Sequence, residues 1–167
     1  MLWMNVAGLG SSSLGIVLLL TGILTDFWLV SFGSDLYHVG LWQICAKNVC
    51  AKVTATGYIN ATRGFVVFST SLLIFGMISS CFTFVKFHVG RITACLASAI
   101  LEGLAAMFLL IGMSIYTSET SNMVLNSSFN YQWSFYLCWT ANVLLIISGI
   151  CHILAHLSSP LPGYESV

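Results

Sequence analysis

The stretch Gly40-Leu41-Trp42-Gln43-Ile44-Cys45-Ala46-Lys47-Asn48-Val49-Cys50 stands between two long apolar segments and decides the fold. Its two cysteines are separated by a spacing that suits a β-hairpin whose strands face each other at disulfide distance. Because so small a loop removes little chain entropy, we expect a bridge between Cys45 and Cys50 to fix the hairpin register rather than to add much stability. Two free cysteines are the alternative.

Composition places the rest of the chain in a membrane. Of 167 residues, 58% are hydrophobic and 6% are charged, whereas a soluble domain has roughly 25% charged residues. A helix needs ~20 apolar residues to cross a hydrocarbon layer of ~30 Å. Four stretches are long enough, at about residues 6–24, 64–85, 92–116 and 133–157. We therefore predict one membrane domain over 1–157, outer loops at 25–63 and 117–132, and a cytosolic tail at 158–167.

The first apolar stretch carries no basic residue ahead of it and is long for a secretory leader, so we interpret it as an uncleaved spanning helix. The five basic and five acidic residues are scattered singly along the chain. No electrostatic patch is available to recruit nucleic acid, which excludes that class of partner.

Orientation follows from basic residues, which accumulate in short cytosolic loops. Lys86, His88 and Arg91 crowd the turn between the second and third stretches, which predicts that this turn and both termini are cytosolic. The cysteine pair then falls in an oxidising compartment, where bridges form. Two glycosylation sequons, at Asn60 and Asn126, fall on the same outer side. Asn60 lies so near the second helix that Asn126 is the better acceptor, and an unmodified asparagine is the alternative at both.

Several residues around the cysteine pair resemble the signature of the claudin and peripheral myelin protein superfamily. The resemblance implies a left-handed bundle of four transmembrane helices capped on its outer side by a small antiparallel β-sheet. The residues that carry it are Trp28, Gly40, Leu41, Trp42, Cys45, Cys50 and Arg63.

Two branches of this superfamily are similar to different parts of the chain. The run from Gly40 to Cys50, followed by Asn60-Ala61-Thr62-Arg63-Gly64-Phe65, resembles the lens fibre membrane branch. Thr25-Asp26-Phe27-Trp28, Trp133-Ser134-Phe135-Tyr136-Leu137-Cys138-Trp139 and the tail resemble the granule membrane branch of natural killer cells. The second set spans more of the chain and implies a role in cytotoxic granules, although the cysteine pair departs from that branch.

The tail ends in Gly163-Tyr164-Glu165-Ser166-Val167. Tyr164 and Val167 fit the tyrosine–x–x–bulky apolar pattern that clathrin adaptors bind as an extended strand, and the position of the motif resembles lysosomal membrane glycoprotein tails. One alternative is a tail that no protein binds. The other is a ligand of a PDZ domain, which Glu165 disfavours because the commoner class of PDZ ligand has Ser or Thr at that position.

One acidic residue, Glu102, lies near the middle of the third stretch, where an ionised carboxyl is costly. Helical spacing places it on a face with small residues, from which we expect it to point toward Asn142 on the fourth helix. We favour a protonated carboxyl hydrogen-bonded to a neighbour over a proton or ion relay, because no facing base is evident at that depth. Replacement by Gln should then leave folding and trafficking almost intact.

The sequence contains no nucleophile–base set, metal-ligand cluster or phosphate loop, so we predict a non-enzyme without a cofactor or metal. Three functions remain: a granule or lysosome membrane protein that supports secretion in cytotoxic lymphocytes, a junctional or adhesive protein, and a channel or transporter with the least support. The expected partners are membrane lipids, clathrin adaptor complexes through the tail, and other membrane proteins or a second copy of the chain.

Overall fold

The computed structural model describes residues 2–32, 36–47, 49–84, 88–89, 92–126 and 129–158. Four helices in these ranges are long and apolar enough to cross a membrane, which confirms a multi-pass integral membrane protein. They are α1 (Leu2–Leu24), α2 (Gly57–Thr83), α3 (Ala94–Asn126) and α4 (Trp133–Leu157).

The helices alternate in direction, and α1 packs extensively on α4 while α2 packs on α3. Three glycines of α1 make the first contact close. A Cβ atom built on Gly8, Gly15 or Gly22 would lie 2.8, 2.8 or 2.6 Å from a side-chain atom of α4. Small residues at such spacing let two helix backbones approach closely where lipid gives no hydrophobic driving force.

A five-stranded antiparallel sheet caps the end of the bundle at which α1 ends and α2 begins, with strand order β4-β3-β2-β1-β7. A second, two-stranded pairing of β5 with β6 lies just before α3. The strands are β1 (Leu29–Phe32), β2 (Leu36–Val39), β3 (Gln43–Ala46), β4 (Val49–Lys52), β5 (His88–Val89), β6 (Ile92–Thr93) and β7 (Phe129–Tyr131). The sheet with its disulfide confirms the predicted four-helix, sheet-capped fold.

Two helix boundaries differ from the prediction by seven residues or more. Helix α2 begins at Gly57 rather than at 64, so it includes the last residues of the stretch that we expected as an outer loop. Helix α3 continues to Asn126, so the prediction of an outer loop from 117 to 132 is wrong for most of its length. The polar side chains in this stretch are satisfied locally: the hydroxyl of Thr120 donates to the carbonyl of Tyr116 at 2.7 Å and lies 2.9 Å from the hydroxyl of Tyr131 on β7.

Aromatic rings fill the junction between the bundle and the sheet. The ring of Trp28 meets that of Tyr116 edge to face, with centroids 4.8 Å apart, and that of Phe135 at 6.2 Å. Phe135 in turn stacks on Tyr131 of β7 at 4.2 Å. These contacts tie α3, α4 and both outer segments into one core.

Candidate functional site

The signature tryptophan of the first outer segment is a core residue. Trp28 is fully buried, and its indole nitrogen donates to the carbonyl of Gly22 at 2.7 Å. Its backbone also bridges two segments, since its N–H donates to Val39 and its carbonyl accepts from Gln132, both at 3.1 Å. The ring therefore lies in the core rather than at the lipid interface, and it anchors the sheet to the helices.

The Gly40-Leu41-Trp42 turn is held from two sides. A Cβ on Gly40 would lie 2.5 Å from the Cα of Asp26, so only glycine fits there without a backbone shift. Leu41 is fully buried, and its carbonyl accepts a hydrogen bond from Nε of Arg63 at 2.9 Å. The Arg63 guanidinium also stands 5.0 Å from the ring centroid of Trp42, within cation–π range. The signature residues thus form one structural unit that docks the turn on α2.

The disulfide closes the β3–β4 hairpin next to this turn. Cys45 and Cys50 are directly opposite each other in the register, with a Cα separation of 4.1 Å. Lys47, in the turn between them, has a positive φ of 48°, a conformation that side-chain-bearing residues adopt rarely and mostly in tight turns. The predicted bridge is confirmed, and it locks a turn that the backbone would otherwise adopt reluctantly.

The two sequons lie on the same side of the bundle as the sheet. Asn60 is exposed in the first turns of α2, but Thr62 of the same sequon is buried and its hydroxyl donates to the Gly112 carbonyl at 3.4 Å. Asn126 is the exposed last residue of α3. The tail residues Tyr164 and Val167 lie outside the described residues.

Glu102 is the centre of a polar cluster inside the bundle. Its Oε2 atom lies 3.0 Å from Nδ1 of His152 and 2.7 Å from the hydroxyl of Ser148, both on α4. The hydroxyl of Ser80 on α2 lies 3.3 Å from the other ring nitrogen, Nε2, of His152. The Ser148 hydroxyl is also 2.7 Å from the carbonyl of Gly8 on α1. All four helices therefore meet at this cluster, and its four side chains are at most 1% exposed.

The predicted partner of Glu102 was wrong. Asn142 is buried, but it precedes Ser148 by about 9 Å along α4, and in the described structure its Oδ1 has no hydrogen-bond partner. The expectation that no base faces Glu102 was also wrong, because His152 does. The missed signal is the spacing of Ser148 and His152, which helical periodicity places on one face of α4.

The order Ser80, His152, Glu102 matches a nucleophile, a base and an orienting acid. However, Ser80 is 1% exposed and its hydroxyl donates to the Gly76 carbonyl at 3.1 Å, so a substrate has no access to it. Within the described ranges, no group of three His, Cys, Asp or Glu side chains could hold a metal ion. The role that these contacts support is the joining of the four helices by buried hydrogen bonds.

A four-span bundle capped by a disulfide-closed sheet, with a tryptophan and an arginine that dock the sheet and its turn on the helices, defines a claudin-like membrane protein. The chain belongs to the PMP-22/EMP/MP20/Claudin family, which its residues 2–152 match. Members of this family are non-enzymatic membrane proteins.

Three relatives show which branches the chain is similar to. Protein NKG7 of Bos taurus is 31% identical over 94% of each chain, and Protein NKG7 of Homo sapiens is 30% identical over 98% of this chain and 97% of the relative. Lens fiber membrane intrinsic protein of Homo sapiens is 28% identical over 89% of each chain. The resemblance to both branches is confirmed.

Proposed function

We propose that this protein is a non-enzymatic membrane protein of lysosome-type granules, and that it supports the trafficking and exocytosis of cytotoxic granules in lymphocytes. Similarity to Protein NKG7 over nearly the whole chain supports the granule branch. The observation that carries the proposal is the tail, in which Tyr164 follows the last helical residue, Leu157, by seven positions and begins the tyrosine–x–x–bulky apolar pattern that Val167 completes. So short a spacing from α4 supports an adaptor motif near the bilayer surface, which is where clathrin adaptor complexes bind such sequences.

Both termini are proposed to be cytosolic, with the sheet in the granule lumen or outside the cell. Residues Leu2 and Ser158 lie at the same end of the bundle, because four antiparallel helices return the chain to its starting side. The bridge between Cys45 and Cys50 supports an oxidising compartment for the opposite end. Asn126 is then the lumenal glycosylation acceptor, and membrane lipids cover the exposed apolar faces of the helices.

The sorting test compares two tail variants of the full chain, labelled at the N-terminus so that the carboxyl end stays free. We expect Tyr164→Ala to leave acidic granules and accumulate at the plasma membrane, because the adaptor pocket for the ring is empty. Ser166→Ala occupies a variable position of the motif and should reach granules like the parent. Equal delivery of Tyr164→Ala and the parent would remove the proposal's main support.

The secretion test uses cytotoxic lymphocytes that lack the protein. Re-expression of the parent should restore the surface appearance of granule membrane markers after stimulation, and Tyr164→Ala should restore much less. Full rescue by a variant that no longer reaches granules would contradict a role at the granule membrane.

Adhesion is the second candidate, and the outer surface carries one observation in its favour. Phe32 at the end of β1 is 66% exposed, and Val49 at the start of β4 is 72% exposed. Apolar side chains on a part of the protein outside the bilayer are typical of contact surfaces. If the protein is adhesive, Phe32→Ser should reduce aggregation of expressing cells while Tyr164→Ala leaves it unchanged. The granule proposal predicts the reverse pattern for granule delivery.

A further inference from the structure

We propose that Trp42, Lys52 and Arg63 form a binding site for the phosphate group of an anionic phospholipid, in the membrane leaflet on the side of the five-stranded sheet. An open cavity of about 440 Å³ lies where the β3–β4 hairpin meets the first turns of α2, and these three residues line it. The inference goes beyond the granule role and does not depend on it.

The cavity carries two positive charges and no described carboxylate. Lys52 at the end of β4 and Arg63 in the second turn of α2 are its charged lining residues, and the other side chains that line it are uncharged. Asp26 lies against Gly40 in the neighbouring turn, but it does not line the cavity. Such a cavity favours an anion.

Arg63 has hydrogen-bond donors available for that anion. Its Nε donates to the Leu41 carbonyl at 2.9 Å, and its terminal nitrogens make long contacts of 3.5 Å with Oδ1 of Asn60 and the carbonyl of Val53. A guanidinium has five N–H groups, so among the described contacts two remain, one on each terminal nitrogen. All three acceptors are neutral, and the positive charge is therefore not compensated. Two N–H groups of one planar guanidinium are the pattern that binds two oxygens of a phosphate.

The guanidinium is held in place before a ligand arrives. It stands 5.0 Å from the ring centroid of Trp42, and its bond to the carbonyl of the buried Leu41 restrains it further. Donors that are already ordered bind without a further loss of side-chain freedom. Lys52 is exposed and forms no ion pair within the described residues, so its three donors add to the site on a flexible stem.

The cavity lies at the level of lipid headgroups. The exposed large apolar side chains of α2 begin at Val67, where we place the entry of this helix into the hydrocarbon layer. Arg63 precedes Val67 by about one turn, or ~6 Å, and the headgroup region extends ~5–8 Å beyond the hydrocarbon on each side. At the same end of the bundle Trp133 and Tyr136 are exposed on α4, as in the aromatic belts of membrane interfaces. Phospholipids are the anions that this depth supplies.

The charge of the cavity selects among phospholipids. A phosphatidylcholine brings a quaternary ammonium together with its phosphate, and the two cations of the cavity repel it. Phosphatidylglycerol has no positive group. Because each basic residue near a lipid surface favours an anionic lipid by about fivefold, the pair predicts a preference of roughly tenfold or more.

The experiment is native mass spectrometry of the full chain in an uncharged detergent, with equal amounts of phosphatidylglycerol and phosphatidylcholine that carry the same palmitoyl and oleoyl chains. The measured quantity is the ratio of the two singly bound complexes, in which competition by detergent cancels. We expect the parent to favour phosphatidylglycerol roughly tenfold. A ratio near unity would overturn the proposal.

Variants of three lysines locate the effect. Lys52→Gln should lower the ratio roughly fivefold, whereas Lys52→Arg should retain it. Lys47→Gln removes the same charge from the same hairpin outside the cavity, and should keep the ratio of the parent. Lys86→Gln is the same control in the turn between α2 and α3, where Lys86 and Arg91 lie outside the described residues. An unchanged ratio in Lys52→Gln, or an equal loss in either control, would refute the site.

Arg63→Lys tests the planar guanidinium. It keeps the positive charge but loses the paired N–H groups, so the ratio should fall although Lys52→Arg retains it. Thermal unfolding of the same sample shows that the variant is folded at the temperature of the measurement. A ratio equal to that of the parent would remove Arg63 from the site and contradict the proposed geometry.

A last measurement distinguishes a lipid from a soluble anion, since inorganic phosphate presents the same oxygens. Inorganic phosphate at the concentration of the lipid should leave the phosphatidylglycerol complex intact, because the acyl chains also contact the exposed apolar side chains of α2. Displacement of the lipid at equal concentration would assign the cavity to a soluble phosphate and refute the lipid site.

Discussion

An alanine at Gly22 should destabilise the bundle, because α1 and α4 leave no room for a methyl group there. The added Cβ would lie 2.6 Å from Sγ of Cys138 and 2.8 Å from the carbonyl oxygen of Ser134, and real Cβ contacts essentially never fall below 3.0 Å. One of the two obstacles is backbone, so a side-chain rotation cannot relieve the clash. Helix α1 itself must move, and that also strains the 2.7 Å hydrogen bond from Trp28 to the Gly22 carbonyl.

The size of the effect follows from two opposing terms. Overpacking lowers the free energy of unfolding by about 1–3 kcal/mol. The better helix propensity of alanine offsets up to about 1 kcal/mol of that loss. The net loss in the free energy of unfolding is then about 1–2 kcal/mol. For a chain of this size each kcal/mol corresponds to about 2–4 °C, so Gly22→Ala should lower Tm by about 2–8 °C.

Gly10 provides the matched control on the same helix. A Cβ at Gly10 meets nothing within 4 Å, so Gly10→Ala should gain about 0.5–1 kcal/mol from propensity alone and leave Tm unchanged or slightly raised. The assay is thermal unfolding of both purified variants in one detergent, followed by tryptophan fluorescence. If Gly22→Ala unfolds at or above the temperature of Gly10→Ala, the close α1–α4 contact is not a determinant of stability.

Three further predictions concern the outer signature and are measured as shifts of the same unfolding transition. Trp28→Phe keeps an aromatic ring but leaves a buried carbonyl without its donor, and should cost about 1–3 kcal/mol; an unchanged transition would show that the hydrogen bond is replaceable. Arg63→Lys keeps the charge but loses the planar donor to Leu41, so we expect a loss of about 1 kcal/mol rather than neutrality. Cys45→Ser paired with Cys50→Ser should cost no more than about 2 kcal/mol, the low end for a disulfide, because the closed loop is short, and dithiothreitol should lower the parent to the same value without affecting the double variant.

Much of the fold could be predicted from local sequence. The four spans follow from apolar length, and the hairpin follows from the spacing of Cys45 and Cys50, because both signals lie within contiguous stretches. The upper part of α3 could not be predicted this way: residues 117–126 contain Thr, Ser and Asn, which favour loops. These residues are helical because of tertiary contacts. The hydroxyl of Thr120, for example, contacts that of Tyr131 on β7 and so stabilises this part of α3.

The polar cluster shows a similar limit. The sequence placed Glu102 inside the membrane correctly, but the choice between Asn142 and His152 depends on how far α4 is displaced along α3. Asn142 and His152 are ten positions apart, which is about 15 Å along the helix, and no local pattern encodes that offset. The identity of the partner matters chemically, because the amide of Asn142 offers only hydrogen bonds whereas the imidazole of His152 is also a base.

The length of α3 has a mechanical consequence. Its 33 residues form a rod of ~50 Å, whereas the hydrocarbon layer is ~30 Å thick, so the rod projects well beyond the lipid and ends beside β7. Helices tilt to match the local thickness of a bilayer, and ~10° of tilt displaces one end of this rod sideways by ~9 Å relative to the other. A tilt of α3 relative to the other helices would therefore displace β7, the edge strand of the sheet, more than any part of the bundle interior.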